Sequence, residues 1–321
     1  MVALLDGHPE INVIPEEFDY FDGIYFLVER FISGSKLSDK EQVDLLFKYM
    51  RKSTHIRNLF YGINEDDPRG NFDYRDFDVE AFEKTFKTYL LENGISHKLV
   101  FEALARAYAS GIKSTTGKKY WLEKTPYHIL NVSNRETILN QYFGEYKVIH
   151  ILRDPRDNYL AYSKKQPSLS IHDICAEWKR VVNVVLNWKS KSKSLLIRYE
   201  DLVLNPEATM SKVVEFLSIE ENDSLFSPTK KGVPWKGNSM FGQTSTKISK
   251  DRVYRYKHMM DEKTKKIIES SCFNEMKALN YEFTAGVKAR NSLGSKIARF
   301  RLKGKDLYKR NFLKLVTRVK Y

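Results

Sequence analysis

The sequence has little cysteine and no recognisable pattern of metal ligands. Its 321 residues include two cysteines, Cys175 and Cys272, which are too few for a disulfide framework. We expect both to be small buried residues, because a free cysteine packs like a small apolar side chain. The seven histidines are scattered, without the H-x-x-x-H or cysteine–histidine spacings of zinc sites. The composition therefore predicts a protein that needs no metal.

The sequence also lacks a long apolar run. No segment reaches the roughly 18 consecutive apolar residues that a membrane-spanning helix needs. The first five residues are apolar, but they lack a charged start and are too short for a signal peptide. If the chain is complete, we expect a cytoplasmic location. With 42% hydrophobic residues, the chain suits a globular protein of one large domain or two small ones.

Positive charge is concentrated near the end of the sequence. Residues 286–321 contain twelve lysines or arginines and one acid, Asp306, which supplies +11 of the net charge of +13. Apolar residues such as Phe300, Phe312 and Leu315 are interleaved with these charges. One interpretation is a basic amphipathic segment that contacts an anionic membrane or another polyanion. The other is a C-terminal helix that packs on the body and exposes a basic face.

Three short apolar segments predict buried strands. Each is rich in β-forming residues and is followed at once by a polar turn or a helix start, which is typical of parallel strands that feed crossover helices. The segments are 118–123 (KKYWLE), 146–152 (YKVIHIL) and 193–199 (KSLLIRY). The sequence therefore predicts an α/β fold, with a parallel sheet and helices on both sides.

Helical patterns occupy the regions beside these strands. Apolar residues recur at helical spacing in DKEQVDLLFKYMRK from Asp39, in ISHKLVFEALARAYASG up to Gly111, and in IHDICAEWKRVVNVVLNWKSK. In NPEATMSKVVEFLSI, Asn205 is a good N-cap and Pro206 suits the first helical position. The polar and aromatic residues 60–80 predict a long surface loop.

The segment YKVIHILRDPRDNYLAYSKK is the most informative. Arg153 follows its apolar strand directly, Asp154 suits an N-cap, and Pro155 suits the first turn of a helix. The free N–H groups of a helix N-terminus and the planar donor fork of arginine both favour a phosphate. Ligands of open α/β sheets also bind at the carboxyl ends of strands. The alternative is a surface salt bridge from Arg153 to Asp154 or Asp157.

Three further segments accompany this motif in a fixed order. WLEKTPYHIL lies upstream, LLIRYEDLVLNPEATMSKVVEFL follows, and WKGNSMFGQTSTKISKDRVYRYK comes last. Together the four segments resemble the sulfotransferase family, whose members transfer a sulfo group from 3′-phosphoadenosine 5′-phosphosulfate to a hydroxyl or amine. The resemblance implies a sulfotransferase-like domain over residues 1–285, with 286–321 as a basic tail or helix. It also implies a P-loop-like, three-layer α/β/α core with a central parallel sheet.

The start of the chain resembles the same family. LLDGHPEINVIPEE matches the segment that, in the family, follows the first strand and the 5′-phosphosulfate loop with its R-S-G-T-T-like turn. The resemblance implies that Met1 lies within the family's first helix, and we expect that strand and loop to be absent from the chain as given. Residues 32–38 (ISGSKLS) contain Gly, Ser and Lys but follow no strand, so they do not supply the loop.

The resemblance also implies which residues carry out sulfo transfer. The reaction requires a base for the proton of the acceptor and a cation that stabilises the bridging oxygen of the leaving nucleotide. Within the pair Glu16-Glu17, Glu17 matches by position the base of relatives that sulfate protein tyrosines. Many relatives use a histidine instead, which leaves His8 and His128 as alternatives. Lys124 matches the cation, and the alternative is that it is an ordinary surface lysine.

A nucleotide site is implied in the same way. Arg153 matches the residue that holds the 3′-phosphate. In the family a serine eight residues later usually completes this site, but the sequence has Ala161 there. The nearest hydroxyls are those of Tyr162 and Ser163, and we take Ser163 as the candidate, although it lies about 200° further round a helix. Tyr199 matches an aromatic residue near the adenine, or is a core residue. A final segment matches the late loop that closes over the nucleotide, or forms an ordinary turn: Gly237, Asn238 and Ser239.

These expectations define one main function and two alternatives. The main prediction is a sulfotransferase that uses 3′-phosphoadenosine 5′-phosphosulfate as co-substrate, needs no metal, and acts on a hydroxyl of a glycan, a peptide tyrosine or a small molecule. The alternatives are a catalytically inactive relative that still binds ligand, and a polyanion-binding protein that acts through the basic tail. No motif for sequence-specific nucleic-acid binding is present, and a P-loop kinase is excluded because the sequence lacks G-x-x-x-x-G-K-[ST].

Overall fold

The computed structural model of this protein describes most of the chain in two compact units. The first unit contains Met1–Glu145 and Asn222–Trp235, and the second contains Tyr146–Glu221 and the described residues that follow position 245. The described residues are 1–14, 20, 24–52, 59–60, 74–113, 118–124, 135–235 and 246–289.

Helices dominate both units, and each unit has a pair of parallel strands. In chain order the helices and strands are α1 (Val2–Leu5), β1 (Ile11–Val13), α2 (Tyr25–Ile32), α3 (Asp39–Lys52), α4 (Val79–Asn93), α5 (His97–Gly111), β2 (Tyr120–Leu122), α6 (Arg135–Tyr142), β3 (Val148–Leu152), α7 (Pro155–Lys165), α8 (Ile171–Leu186), β4 (Ser194–Arg198), α9 (Tyr199–Leu204), α10 (Pro206–Leu217), β5 (Thr229–Lys230), β6 (Val233–Pro234), α11 (Tyr256–Met259), α12 (Glu262–Ser271) and α13 (Phe273–Ala278).

Two predicted helices of the first unit are confirmed. Helix α3 begins at Asp39, and α5 ends at Gly111. Ser96 is the N-cap of α5, and its hydroxyl accepts the backbone N–H of Leu99 at 3.2 Å. A Cβ atom at Gly111 would come within 2.4 Å of the ring of Phe77, so only glycine allows this close packing at the end of the helix.

The predicted surface loop over residues 60–80 is wrong at its described end. Tyr74 and Phe77 are buried in the core of the first unit, together with apolar residues of α3, α4 and α5. Helix α4 begins at Val79, after the N-cap Asp78, whose carboxylate accepts the N–H of Ala81 at 2.8 Å. The aromatic residues of this segment therefore belong to the core, because burying their large apolar rings outweighs the polar character of their neighbours.

The parallel strand pair of the first unit joins a predicted strand to an unpredicted one. Strand β2 lies within the predicted segment 118–123 and pairs in parallel with β1, from Ile11 opposite Tyr120 to Val13 opposite Leu122. Strand β1 was not predicted from the sequence. It has three residues, which are too few for an alternating or continuous apolar pattern to stand out.

The second unit contains the most regular α/β segment. Strands β3 and β4 pair in parallel with no slip, from Val148 opposite Ser194 to Leu152 opposite Arg198. The chain between them forms α7 and α8, as expected for parallel strands that are joined by helical connections. Both strands fall within the predicted segments, and the predicted α/β fold class is confirmed.

Helix α10 has the start and the buried face that its sequence predicts, but one predicted capping residue does not act as a cap. Helix α10 begins at Pro206, as predicted, and Met210, Val213 and Leu217 are buried along one face. Asn205 occupies the N-cap position, but its side chain makes no capping hydrogen bond. The backbone restriction of proline at the first helical position is therefore the feature that marks this helix start.

Several other predictions can be compared with the described residues. Cys175 and Cys272 are buried free thiols, as expected. None of the helices that the structure describes is both long enough and apolar enough to cross a membrane. The basic tail lies outside the described residues from position 290 onward, so the domain boundary at 285 and the role of residues 286–321 stay predictions.

Candidate functional site: an arginine at the end of strand β3

The turn from β3 into α7 has the predicted arrangement. Strand β3 ends at Leu152, Arg153 follows, and α7 begins at Pro155. Asp154 is the N-cap, and its carboxylate accepts the N–H of Arg156 at 2.9 Å. The indole N–H of Trp178 donates to the carbonyl of Arg153 at 2.9 Å, which fixes the backbone at this point.

The side chain of Arg153 is held on one side and partly exposed. Its side chain is 25% exposed, and one Nη atom lies 3.5 Å from an oxygen of Asp157. The same Nη donates a hydrogen bond to the carbonyl of Arg252. Its buried Nε has no hydrogen-bond partner among the described residues. The predicted salt bridge to Asp157 therefore exists, but it is not a simple surface pair, because the Asp157 carboxylate is fully buried.

Tyr199 lies beside this arginine because of the strand register. Leu152 and Arg198 are opposite each other in the β3–β4 pair, so Arg153 and Tyr199 both follow at the same edge of the sheet. The Arg153 guanidinium lies 5.0 Å from the centre of the Tyr199 ring, which is a cation–π distance. The structure thus brings together two of the residues that the sequence nominated.

Ser163 has a local hydrogen bond. Its hydroxyl donates to the carbonyl of Leu160 at 3.4 Å, three residues earlier on α7. Helix α7 runs from Pro155 to Lys165, so Ser163 and Ala161 are separated by about 200° around the helix axis. A role for Ser163 in nucleotide binding stays a prediction.

The remaining candidates belong to the first unit or to undescribed segments. Lys124 is exposed and lies two residues beyond the carboxyl end of β2. His8, one alternative for the base, is fully buried, and its Nδ1 accepts the N–H of Glu10 at 3.1 Å. Five further nominated residues lie outside the described residues: Glu17, His128, Gly237, Asn238 and Ser239.

The turn is supported by buried ion pairs that the sequence analysis did not identify. Arg156 is 2% exposed, and its guanidinium binds both oxygens of Asp154, with Nε–Oδ1 at 2.9 Å and Nη2–Oδ2 at 2.6 Å. Its third nitrogen donates to Glu269 on α12 at 2.6 Å. Burial lowers the pKa of Arg156, but the hydrogen bonds and charges of its partners outweigh burial and raise that pKa above its ordinary value. Arg156 is therefore a permanently charged structural residue.

Asp157 connects α7 to the segment that precedes α11. Its two carboxylate oxygens accept the N–H groups of Tyr254 at 2.8 Å and Tyr256 at 2.9 Å. Burial raises the pKa of Asp157, while these two N–H groups and the charge of Arg153 act in the opposite direction. Asp154 and Asp157 are both buried, although the sequence suggested them as possible surface partners of Arg153.

Glu200 joins the end of β4 to the same turn. This carboxylate is fully buried. One of its oxygens accepts the N–H of Asp154 at 2.9 Å, and the other accepts the hydroxyl of Tyr281 at 3.0 Å. Burial raises the pKa of Glu200, against the effect of the Asp154 N–H. The signal in the sequence was the acid of R-Y-E-D-L, directly after Tyr199, but a single acid does not reveal its partners.

The arrangement provides a fixed cationic group at the carboxyl end of a strand. Arg153 offers a partly exposed guanidinium, and the turn that carries it is anchored by Asp154, Asp157 and Glu200, all buried. Such a pre-organised arginine is suited to bind an oxyanion such as a phosphate. Across the described ranges, no group of three or more His, Cys, Asp or Glu side chains is placed to hold a metal ion.

Comparison with known proteins identifies the family. A sulfotransferase family model matches residues 2–223, and a sulfotransferase domain model matches residues 136–316. A search of curated proteins finds no match. Among solved structures, the sulfotransferase domain of the Synechococcus PCC 7002 olefin synthase has a TM-score of 0.54 at 13% identity, over 88% of this chain and 90% of that one. The sulfotransferase domain from the curacin biosynthetic pathway has a TM-score of 0.45 at 17% identity, over 63% and 74%. Since the first family model covers more than half of the chain, this protein belongs to the sulfotransferase family.

Proposed function

We propose that the protein is a sulfotransferase that takes 3′-phosphoadenosine 5′-phosphosulfate as donor and a hydroxyl group as acceptor. The observation that supports this proposal most directly is the Arg153 guanidinium at the end of β3. It is partly exposed, and its Nε has no partner among the described residues. In this proposal Arg153 binds the 3′-phosphate of the nucleotide, and Tyr199 lies near the adenine.

The chemistry requires two further roles, which we assign to candidates from the sequence. The acceptor oxygen attacks the sulfur of the donor, and the bond between that sulfur and the phosphate oxygen breaks. The leaving group is adenosine 3′,5′-bisphosphate, and the proton of the acceptor goes to a base. We propose Glu17 as this base and Lys124 as the cation that stabilises the leaving oxygen. His128 stays an alternative base, whereas full burial disfavours His8.

The proposal is tested by calorimetric titration of the full chain with adenosine 3′,5′-bisphosphate. We expect binding to wild type and a loss of at least tenfold in affinity in Arg153→Ala, because a charge-assisted phosphate contact disappears. Lys212→Ala is the matched control, since it removes an exposed charge on α10 and should leave binding unchanged. If wild type does not bind at millimolar ligand, or if Arg153→Ala binds equally well, the proposed site is wrong.

A catalytically inactive relative is the second candidate function. Ala161 stands where a hydroxyl completes the 3′-phosphate site in the family, so one family contact is absent. An inactive relative would bind adenosine 3′,5′-bisphosphate but transfer no sulfo group to phenols, tyrosine peptides or glycans. Incubation with ³⁵S-labelled donor and these three acceptor classes separates the two functions, because only an active enzyme labels an acceptor.

A further inference from the structure

We propose that Asp157 is a positioning residue that fixes the guanidinium of Arg153 for anion binding. This inference rests on the proposed function, in which Arg153 binds the 3′-phosphate. Asp157 lies one helical turn after Arg153, and its Oδ2 is 3.5 Å from the Arg153 Nη2. Because Asp157 is 1% exposed, its carboxylate cannot swing away into solvent.

Asp157 is itself fixed by the backbone of another segment. Its Oδ2 accepts the N–H of Tyr254 at 2.8 Å, and its Oδ1 accepts the N–H of Tyr256 at 2.9 Å. The Arg153 Nη2 also donates to the carbonyl of Arg252, two residues before Tyr254. One guanidinium nitrogen is thus held between the Asp157 carboxylate on α7 and the carbonyl of Arg252, and Asp157 is itself bonded to the backbone of Tyr254 and Tyr256.

This arrangement leaves part of the Arg153 side chain open to a ligand, since the side chain is 25% exposed. The protein occupies Nη2, the Tyr199 ring lies 5.0 Å from the guanidinium carbon, and the buried Nε has no partner within the described part of the chain. An arginine that is already held in one rotamer loses less side-chain entropy when it binds an anion. Asp157 therefore raises the affinity for an anion by fixing the orientation of the Arg153 guanidinium, although its negative charge partly offsets the attraction of Arg153 for a phosphate.

The test compares two nucleotides that differ only in the 3′-phosphate. Dissociation constants of adenosine 3′,5′-bisphosphate and adenosine 5′-monophosphate are measured for wild type, Asp157→Asn, Arg153→Ala and the double variant. We expect Asp157→Asn to weaken the bisphosphate about tenfold and the monophosphate less than twofold, since only the 3′-phosphate meets Arg153. The double variant should be no weaker than Arg153→Ala alone. Equal losses for both nucleotides, or additive losses in the double variant, would overturn the positioning role.

Asp251→Asn is the matched control for charge. It removes a carboxylate from the same segment, but this side chain is exposed and contacts Ser249 rather than Arg153. We expect its affinity for both nucleotides to equal that of wild type. If Asp251→Asn changes the preference for the bisphosphate as much as Asp157→Asn does, long-range charge rather than positioning explains the effect, and the inference is wrong.

A second measurement keeps this inference separate from the proposed function. In protein labelled with ¹⁵N-arginine, a fixed guanidinium gives a protected Nε–H signal with restricted rotation, whether or not a nucleotide binds. We expect this signal for Arg153 in wild type and in Asp251→Asn. Failure of wild type to bind the bisphosphate while the signal is present overturns the proposed function alone. A freely rotating Arg153 guanidinium in wild type overturns the positioning role, even if Asp157→Asn does not fold.

Discussion

Among the described residues, each unit has a polar cluster at the N-terminus of a helix, and the two clusters are built differently. The charged cluster of the second unit lies at the start of α7 and consists of Asp154, Arg156, Asp157, Glu200 and Glu269. The histidine cluster of the first unit lies at the start of α5 and consists of Tyr20, Tyr25, Glu29, His97 and Tyr142. The charged cluster has one arginine surrounded by acids, whereas four of the five residues of the histidine cluster are aromatic.

The histidine cluster is held by hydrogen bonds and ring contacts. The Nε2 atom of His97 is 2.5 Å from an oxygen of Glu29, which also accepts the Tyr142 hydroxyl at 3.1 Å. The hydroxyl of Tyr20 lies 2.9 Å from the Nδ1 of His97 and 3.0 Å from its carbonyl oxygen. The Tyr25 ring stacks on the imidazole with 4.4 Å between ring centres. Glu29 is 37% exposed, so water shares in solvating its carboxylate.

This difference determines how each cluster responds to the loss of one member. In the charged cluster every carboxylate is at most 1% exposed. Loss of Arg156 therefore leaves the carboxylates of Asp154 and Glu269 buried without their charged partner. In the histidine cluster, most members lose only a hydroxyl or a ring contact, and Glu29 can be solvated. We therefore expect the charged cluster to be intolerant of substitution and the histidine cluster to be more tolerant.

The largest effect is expected for Arg156→Met. Methionine fills a similar volume, but Asp154 and Glu269 each lose their charged partner in a buried environment. Removal of one partner from a buried ion pair costs about 3–5 kcal/mol. Urea unfolding of the full chain, followed by tryptophan fluorescence, measures this loss against Lys263→Met, which changes an exposed lysine on α12 and should have little effect.

A double variant sharpens this prediction. Glu269→Gln removes one of the two carboxylates that Arg156→Met leaves unpaired, so the double variant should lose less stability than the sum of the two single variants. Additive losses would contradict the direct coupling of Arg156 and Glu269 across the gap between α7 and α12. They would place the cost of Arg156→Met in packing rather than in charge.

Acid sensitivity is the second expected effect, and each unit contributes a buried histidine with a lowered pKa, His97 in the first unit and His150 in the second. Burial first, and the charge of Lys191 second, lower the pKa of His150 from 6.5 to about 4. Burial also lowers the pKa of His97, although Glu29 opposes this shift. A histidine with a lowered pKa binds its proton more readily in the unfolded chain. Its contribution to stability is therefore present above pH 6.5 and is lost as the pH falls through the folded pKa.

His150→Phe tests the larger of these two contributions. Between pH 6.5 and 4, the lowered pKa of His150 corresponds to about 3 kcal/mol of stability that wild type loses and the variant keeps. The raised pKa values of Asp157 and Glu200 act with the opposite sign, so the two proteins must be compared at equal pH. Unfolding free energies at four pH values provide the measurement. Parallel curves for the two proteins would show that His150 is not the titrating group.

For the charged cluster, the sequence predicted the strand and the helix start better than the side-chain contacts. Strand β3, the N-cap Asp154 and the helix start at Pro155 were predicted, because local rules specify a strand end and a helix cap. Glu269 contacts Arg156, and Tyr281 contacts Glu200. In each pair the two residues are more than 80 positions apart in the sequence. Such pairings depend on the tertiary fold, and no local pattern reveals them.

The histidine cluster was not predicted at all. Its members are spread over α2, α5, α6 and the isolated position of Tyr20, and none belongs to a motif. The histidines are scattered along the chain, but in the fold His97 is fully buried among tyrosines. Arg153, in contrast, was predicted because it lies in a sequence motif that resembles one of a known family. Glu17 and Gly237–Ser239 lie outside the described residues, and their roles stay predictions.

Tyr20→Phe tests the tolerance of the histidine cluster. The variant keeps the buried ring and removes a hydroxyl that bonds to the ring and the carbonyl of His97. We expect a loss of about 1–2 kcal/mol in the free energy of unfolding, because a buried acceptor loses its donor. Tyr142→Phe is the matched comparison and should cost less, since the Glu29 carboxylate that it leaves is partly exposed. A loss as large as that of Arg156→Met would contradict the distinction between the two clusters.

The smallest effect is expected at the N-cap of α5, and the N-cap of α7 is its comparison. Ser96 caps α5 through the N–H of Leu99 and has no other role in the histidine cluster, so Ser96→Ala should cost about 1 kcal/mol. Asp154 caps α7 and also binds Nε and Nη2 of Arg156, so Asp154→Ala removes a cap and a buried ion pair together. Urea unfolding should therefore rank Asp154→Ala well below Ser96→Ala in stability. Equal losses at the two caps would mean that the ion pair adds nothing beyond capping, and that the two clusters differ in composition but not in energetic role.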